Sequence, residues 1–70
     1  MDTNNSNTFY EDYKNKLTLL IYEKSSGEIP EGMCYKLAKS AINRVKYDIS
    51  QGIFKDIEEY ADAYVWAYFQ

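Results

Sequence analysis

Between Pro30 and Gly52, apolar side chains recur at Cys34, Leu37, Ala38, Ala41, Ile42, Val45 and Ile49, while Lys36, Lys39, Asn43, Lys46 and Ser50 fill the opposite side. Spacings of three and four residues gather the first set on one stripe of an α-helix. Such a stripe is stable only when other elements cover it, so this segment demands partners of its own kind. Pro30 suits the first turn, where its missing N–H costs nothing. Glu31 beside it favours the positive end of the helix dipole. Gly52 after Gln51 ends the pattern, which predicts a helix over residues 31–50.

Two flanking segments supply the cover. Thr8, Phe9, Tyr10 and Glu11 have the spacing of a capping box, in which the hydroxyl accepts from the backbone three residues on while the carboxylate reaches back. Phe9, Tyr10, Tyr13, Leu17, Leu20 and Ile21 then share one side of a helix over about 9–24. Ser25, Ser26 and Gly27 stop it, with Gly27 free to turn left-handed. Asp56 and Glu59 repeat the cap-and-partner spacing ahead of a third helix over 57–69. Its stripe is Ile57, Tyr60, Ala61, Tyr64, Val65 and Tyr68. The chain has no alternating segment, hairpin dipeptide or internal repeat. It therefore reads as all-α: a small three-helix bundle in one domain over 8–70, preceded by a flexible polar tail at 1–7.

Composition narrows the chemistry. The 70 residues contain one cysteine and no histidine, which excludes an internal disulfide, ordinary zinc sites and imidazole acid–base catalysis. No metal or other cofactor is expected, and the chain is expected not to be an enzyme. Cys34 lies on an apolar stripe with no base to deprotonate it and reads as a small hydrophobe. Ser25, Ser26 and Gly27 lack the spacing of a phosphate loop or nucleophile elbow. The polar start lacks the basic and apolar regions of a signal peptide, and Leu19 to Tyr22 is far short of the roughly 20 residues that cross a bilayer. A cytoplasmic location without membrane contact is the expectation.

Net charge is −3 with a pI near 4.7, against the basic footprint of nucleic-acid binders. Lys36, Lys39 and Lys46, with Tyr35 and Tyr47 at their margins, nevertheless form the one face that can grip phosphates and stack on bases. A helix-turn-helix use of the last two helices fails, because the third helix carries Asp56, Glu58, Glu59 and Asp62 and would repel the backbone it had to approach. Those carboxylates read as a solvated face or a negative docking surface rather than a cation site.

Trp66 and Phe69 stand off the stripe of the third helix, toward Glu59 and Asp62. A helix apolar on more than one face needs more than one cover. The cover is the N-terminal tail, a second copy or a different protein, unless Trp66 packs on the first helix. Aromatics concentrate at interface hot spots. The leading expectation is thus a non-enzymatic protein-interaction module, a regulator or inhibitor of a larger macromolecule. Its contact residues would be Glu58, Glu59, Asp62, Trp66 and Phe69. A homodimer through the C-terminal aromatics is one form of that contact. Size and composition suit a phage or mobile-element accessory protein that blocks a host nuclease or polymerase, by analogy of class alone. The second reading is a small nucleic-acid-binding regulator that uses Lys36, Lys39 and Lys46.

Overall fold

The computed structural model describes residues 4–70, with side-chain surroundings from Thr8 onward. It contains three helices, α1 (Asn4–Lys24), α2 (Glu31–Ser50) and α3 (Ile57–Tyr68), and no strand among the described residues. α1 is the central element. It packs along both α2 and α3, which touch each other only slightly. The expected three-helix bundle is therefore the fold.

α1 starts four residues before Thr8, so Thr8 is not its cap and the Thr8–Glu11 capping box does not form. Glu11 instead pairs with Lys14 at 2.9 Å. The apolar stripe marks where a helix becomes buried, not where its backbone begins. Extending a nucleated helix into poor formers such as Asn and Ser costs little per residue. Of the tail expected at 1–7, Asn4 to Asn7 continue the helix, and residues 1–3 lie outside the described part.

The α1–α2 turn closes as a Schellman motif. Gly27 N–H donates to Tyr22 O and Ser26 N–H to Glu23 O, both at 2.9 Å. Gly27 is left-handed (φ 75°), and so is Ser26 (φ 57°), a conformation that strains any residue with a Cβ. Ser25 holds the turn from inside. Its buried hydroxyl donates to Tyr22 O at 2.9 Å and accepts from Ile29 N–H at 3.2 Å. Ile29 is thereby plugged completely into the core. Pro30 occupies the cap position of α2, where its carbonyl accepts from Met33 and Cys34 at 2.9 Å. At the other end Gly52 (φ 78°) allows Ile53 N–H to reach Asp48 O at 2.8 Å.

Asp56 caps α3 by position only; its side chain makes no capping bond, contrary to the pairing expected with Glu59. The Asp56 carbonyl accepts from Glu59 N–H at 3.0 Å and from Tyr60 N–H at 3.4 Å. The Asp56 charge instead adds to burial in holding the Tyr13 phenol above its ordinary pKa of 10.0.

The core joins Leu17 and Ile21 of α1, Ile29 of the turn, Cys34, Ala38, Ala41 and Val45 of α2, and Tyr60 and Ala61 of α3. Small side chains at 38, 41 and 61 suit the close approach of neighbouring helices. Three stripe residues are exposed. Ile49 and Tyr68 are at exposed helix ends, and Phe9 lies in the outer part of α1. Phe9 packs edge-on against Tyr10, with ring centres 5.0 Å apart.

Candidate functional site

α3 packs mainly on α1 and only slightly on α2, and its outer side is left to solvent. Glu58, Glu59, Asp62, Trp66 and Phe69 all lie on that side and all are exposed. Trp66 is 67% exposed and Phe69 50%, so packing of Trp66 on α1 is excluded. The five residues occupy adjacent rows of one helix face, because spacings of three, four and seven residues return to nearly the same angle. A shallow depression of about 370 Å³ between α1 and α2 is lined by Leu19, Tyr22 and Tyr35. A larger one, about 530 Å³, lies against the outer side of α3, with Lys55, Glu59, Tyr60, Asp62, Ala63 and Trp66 around it.

The carboxylates of this face are partly answered from within the chain. Lys24, in the last turn of α1, reaches Asp62 at 3.1 Å and Glu58 at 3.7 Å. The hydrogen bond to Asp62 raises the lysine's pKa above 10.5. All three groups remain well solvated, and exposed pairs of this kind contribute at most about 1 kcal/mol. Their charges stay available to a partner. Glu59 makes no ion pair among the described residues.

Beneath the depression Asp48, Tyr60, Arg44 and Lys55 form a polar cluster. Asp48 is 1% exposed and accepts a 2.6 Å hydrogen bond from the Tyr60 hydroxyl on Oδ2. Arg44 Nε stands 3.3 Å from Oδ1, outside hydrogen-bond alignment, and that oxygen has no hydrogen-bond partner. Lys55 Nζ lies 3.9 Å from Oδ2 and 5.7 Å from the centre of the Tyr60 ring. Burial, then the hydrogen bond and charge of Asp48, push the Tyr60 phenol up to about 12. A signal for Asp48 exists in the sequence. It falls three residues after Val45 and seven after Ala41, on the apolar stripe of α2, where a carboxylate persists only with a partner.

The lysine face lies on the outer side of α2, next to α1 at Lys39 and Lys46. Lys36, Lys39 and Lys46 are exposed and make no ion pair among the described residues. Lys39 and Lys46 border a groove of about 310 Å³ whose floor includes Tyr10, Ile42 and Asn43. Lys46 Nζ sits 4.8 Å from the centre of the Tyr10 ring. The aromatics expected to stack on bases are already engaged. Tyr35 accepts from Lys14 at 3.0 Å, and Arg44 lies 5.5 Å from the Tyr47 ring.

Cys34 is fully buried, and its thiol donates to Ile29 O at 3.3 Å. Burial and then the Glu31 charge push its pKa upward, away from the reactive thiolate. Among the described residues no three His, Cys, Asp or Glu side chains converge on a point, and no helix is long and apolar enough to cross a membrane. Comparison with protein-family models, with curated proteins and with solved structures finds no match.

Proposed function

We propose that the chain is a non-catalytic protein-interaction module that docks through the outer face of α3. The observation that carries this reading is the exposure of Trp66, at 67%, on a ridge that also holds Glu59, Asp62 and Phe69. Leaving a large side chain in water forfeits about 1.5–3 kcal/mol of burial energy. A domain of this size has little stability to spare. Tryptophan is also the residue type most enriched at interface hot spots, where one apolar anchor is ringed by polar contacts. Here carboxylates ring the anchor, so the partner presents an apolar recess with a basic rim. A protein surface that binds phosphates has that character. Occupying such a surface would make this chain a regulator or inhibitor, including the nuclease or polymerase inhibitor of a mobile element.

Trp66→Ala and Phe69→Ala test the reading. Each should leave the helical circular-dichroism signal and the thermal midpoint nearly unchanged, because neither ring fills the core. Each should also lose affinity capture of the partner that the unaltered chain retains from its source cells. Unfolding by both single substitutions would make these aromatics structural. Capture unchanged by either would remove α3 as the contact face.

A further inference from the structure

The two solvent faces already described match each other. On α2 the outer row runs Lys36, Lys39, Asn43 and Lys46; on α3 it runs Glu59, Asp62, Trp66 and Phe69. The steps are three, four and three residues in both rows, so each row covers the same sector of its helix and about 15 Å of axis. Laid side by side in parallel, Glu59 meets Lys36 and Asp62 meets Lys39. Trp66 then meets Asn43, within the groove that Tyr10 and Ile42 floor, and Phe69 meets Lys46. Every unpaired lysine of the α2 row faces a carboxylate or an aromatic ring, and a lysine over a ring is itself favourable. Because the spacing reads the same in both directions, the antiparallel alignment also overlaps the rows, but it sets Glu59 at Lys46, Asp62 at Asn43, Trp66 at Lys39 and Phe69 at Lys36, leaving Asp62 without a lysine. The parallel register pairs both carboxylates with lysines while Trp66 stays at the groove.

Resting on the reading of α3 as a contact face, we propose that a partner of this face is the α2 lysine face of a second copy of the chain. The contact is heterologous: each copy offers α3 to one neighbour and α2 to another, so association grows head to tail instead of stopping at a symmetric dimer. A single pair of short helices buries less than the roughly 1,200 Å² of a stable interface, which makes the assembly weak and dependent on concentration. Its charges are opposite in sign and exposed, so salt weakens it.

Sedimentation equilibrium of the full chain tests this with two variants, Trp66→Ala/Asp62→Ala to disable the α3 row and Lys36→Gln/Lys39→Gln/Lys46→Gln to disable the α2 row. The unaltered chain should gain average mass with concentration and lose about tenfold in association constant between low and high salt. Each variant alone should remain monomeric. Mixed, they should form a 1:1 complex that grows no further, because one intact interface is left per pair. Should the α3 variant lose helicity, Glu59→Lys disables the same row from an exposed position. Self-association of the lysine variant at the unaltered level would overturn the head-to-tail contact while leaving α3 as a contact face. Unaltered self-association of the α3 variant would overturn both. A chain that stays monomeric at millimolar concentration would also overturn the self-contact, including one whose lysine face binds duplex DNA.

Discussion

Tyr60→Phe removes one hydroxyl from the interior and leaves its ring in place, so it isolates a single bond. That hydroxyl donates to Asp48 Oδ2 at 2.6 Å, and Oδ1 already lacks a hydrogen-bond partner. After the substitution the carboxylate, 1% exposed, keeps only Arg44 at 3.3 Å and Lys55 at 3.9 Å, neither a well-aligned donor at close range. Hydrogen bonds to charged groups contribute about 1.5–3 kcal/mol, and the loss falls at the upper part of the neutral range or beyond when the acceptor stays buried. No cavity term is added, because no carbon is removed. In a domain of 60–100 residues each kcal/mol moves the thermal midpoint by about 4–8 °C. The expected fall is therefore about 10 °C, read by circular dichroism and checked by urea titration. Asp48→Ala completes a double-mutant cycle. The double variant should be more stable than the sum of the single losses implies, by about 1–2 kcal/mol of coupling. A midpoint lowered by less than about 2 °C, or single losses that add within about 0.5 kcal/mol, would refute the role given to this bond.

The same phenol gives an alkaline test: its pKa is raised in the folded state to about 12 from 10.0, so its contribution is full below about pH 10 and is lost as pH climbs toward 12. Tyr60→Phe should therefore show a shallower fall of thermal midpoint across that window, and equal slopes would count against the Asp48 contact. Cys34 should react far more slowly with a charged disulfide reagent in the native chain than in urea, because burial raises its pKa and blocks access; equal rates would take it out of the core. Ser25→Ala strips the buried Ile29 N–H of its acceptor and should cost about 1–3 kcal/mol, whereas a change within about 0.5 kcal/mol would mean that water replaces the hydroxyl.

Periodicity located what burial decides. The stripe from Cys34 to Val45 placed α2 at its observed ends because Pro30 and Gly52 punctuate it, and left-handed Gly52 falls where the helix stop requires it, whereas at the end of α1 that place is taken by Ser26, one residue before Gly27. The start of α1 was not legible, since its first turns are polar and no side-chain pattern marks a backbone that simply continues. The Thr8–Glu11 and Asp56–Glu59 spacings mimicked caps because Thr, Asp and Glu are common on exposed helix surfaces as well. The burial of Ile29 is not legible in the sequence, because it belongs to no periodic segment and depends on the turn that Ser25 ties. The place of Asp48 on the stripe of α2 is legible, but its partner is not: the pairing with Tyr60 joins two helices, and one-dimensional spacing carries no information about contacts between elements. The positions of Trp66 and Phe69 were legible because they rest on angle alone.

Tyr60 belongs to the core and also to the wall of the depression beside Trp66. The interior bond to Asp48 therefore fixes one side of the proposed contact, while Lys55 ties the entry of α3 to the same carboxylate. Beyond Val65 every residue is exposed, and the helix ends at Tyr68. The contact face thus has a base held by the core and an aromatic tip on a terminal turn with few restraints. Fixing that tip on binding costs about 0.5–1.5 kcal/mol for each immobilised side chain, a cost that a preorganised base does not add to. The two substitutions at this face consequently separate by their effects. Loss of Trp66 removes the anchor without touching the interior, whereas loss of the Tyr60 hydroxyl loosens the base and lowers stability and docking together.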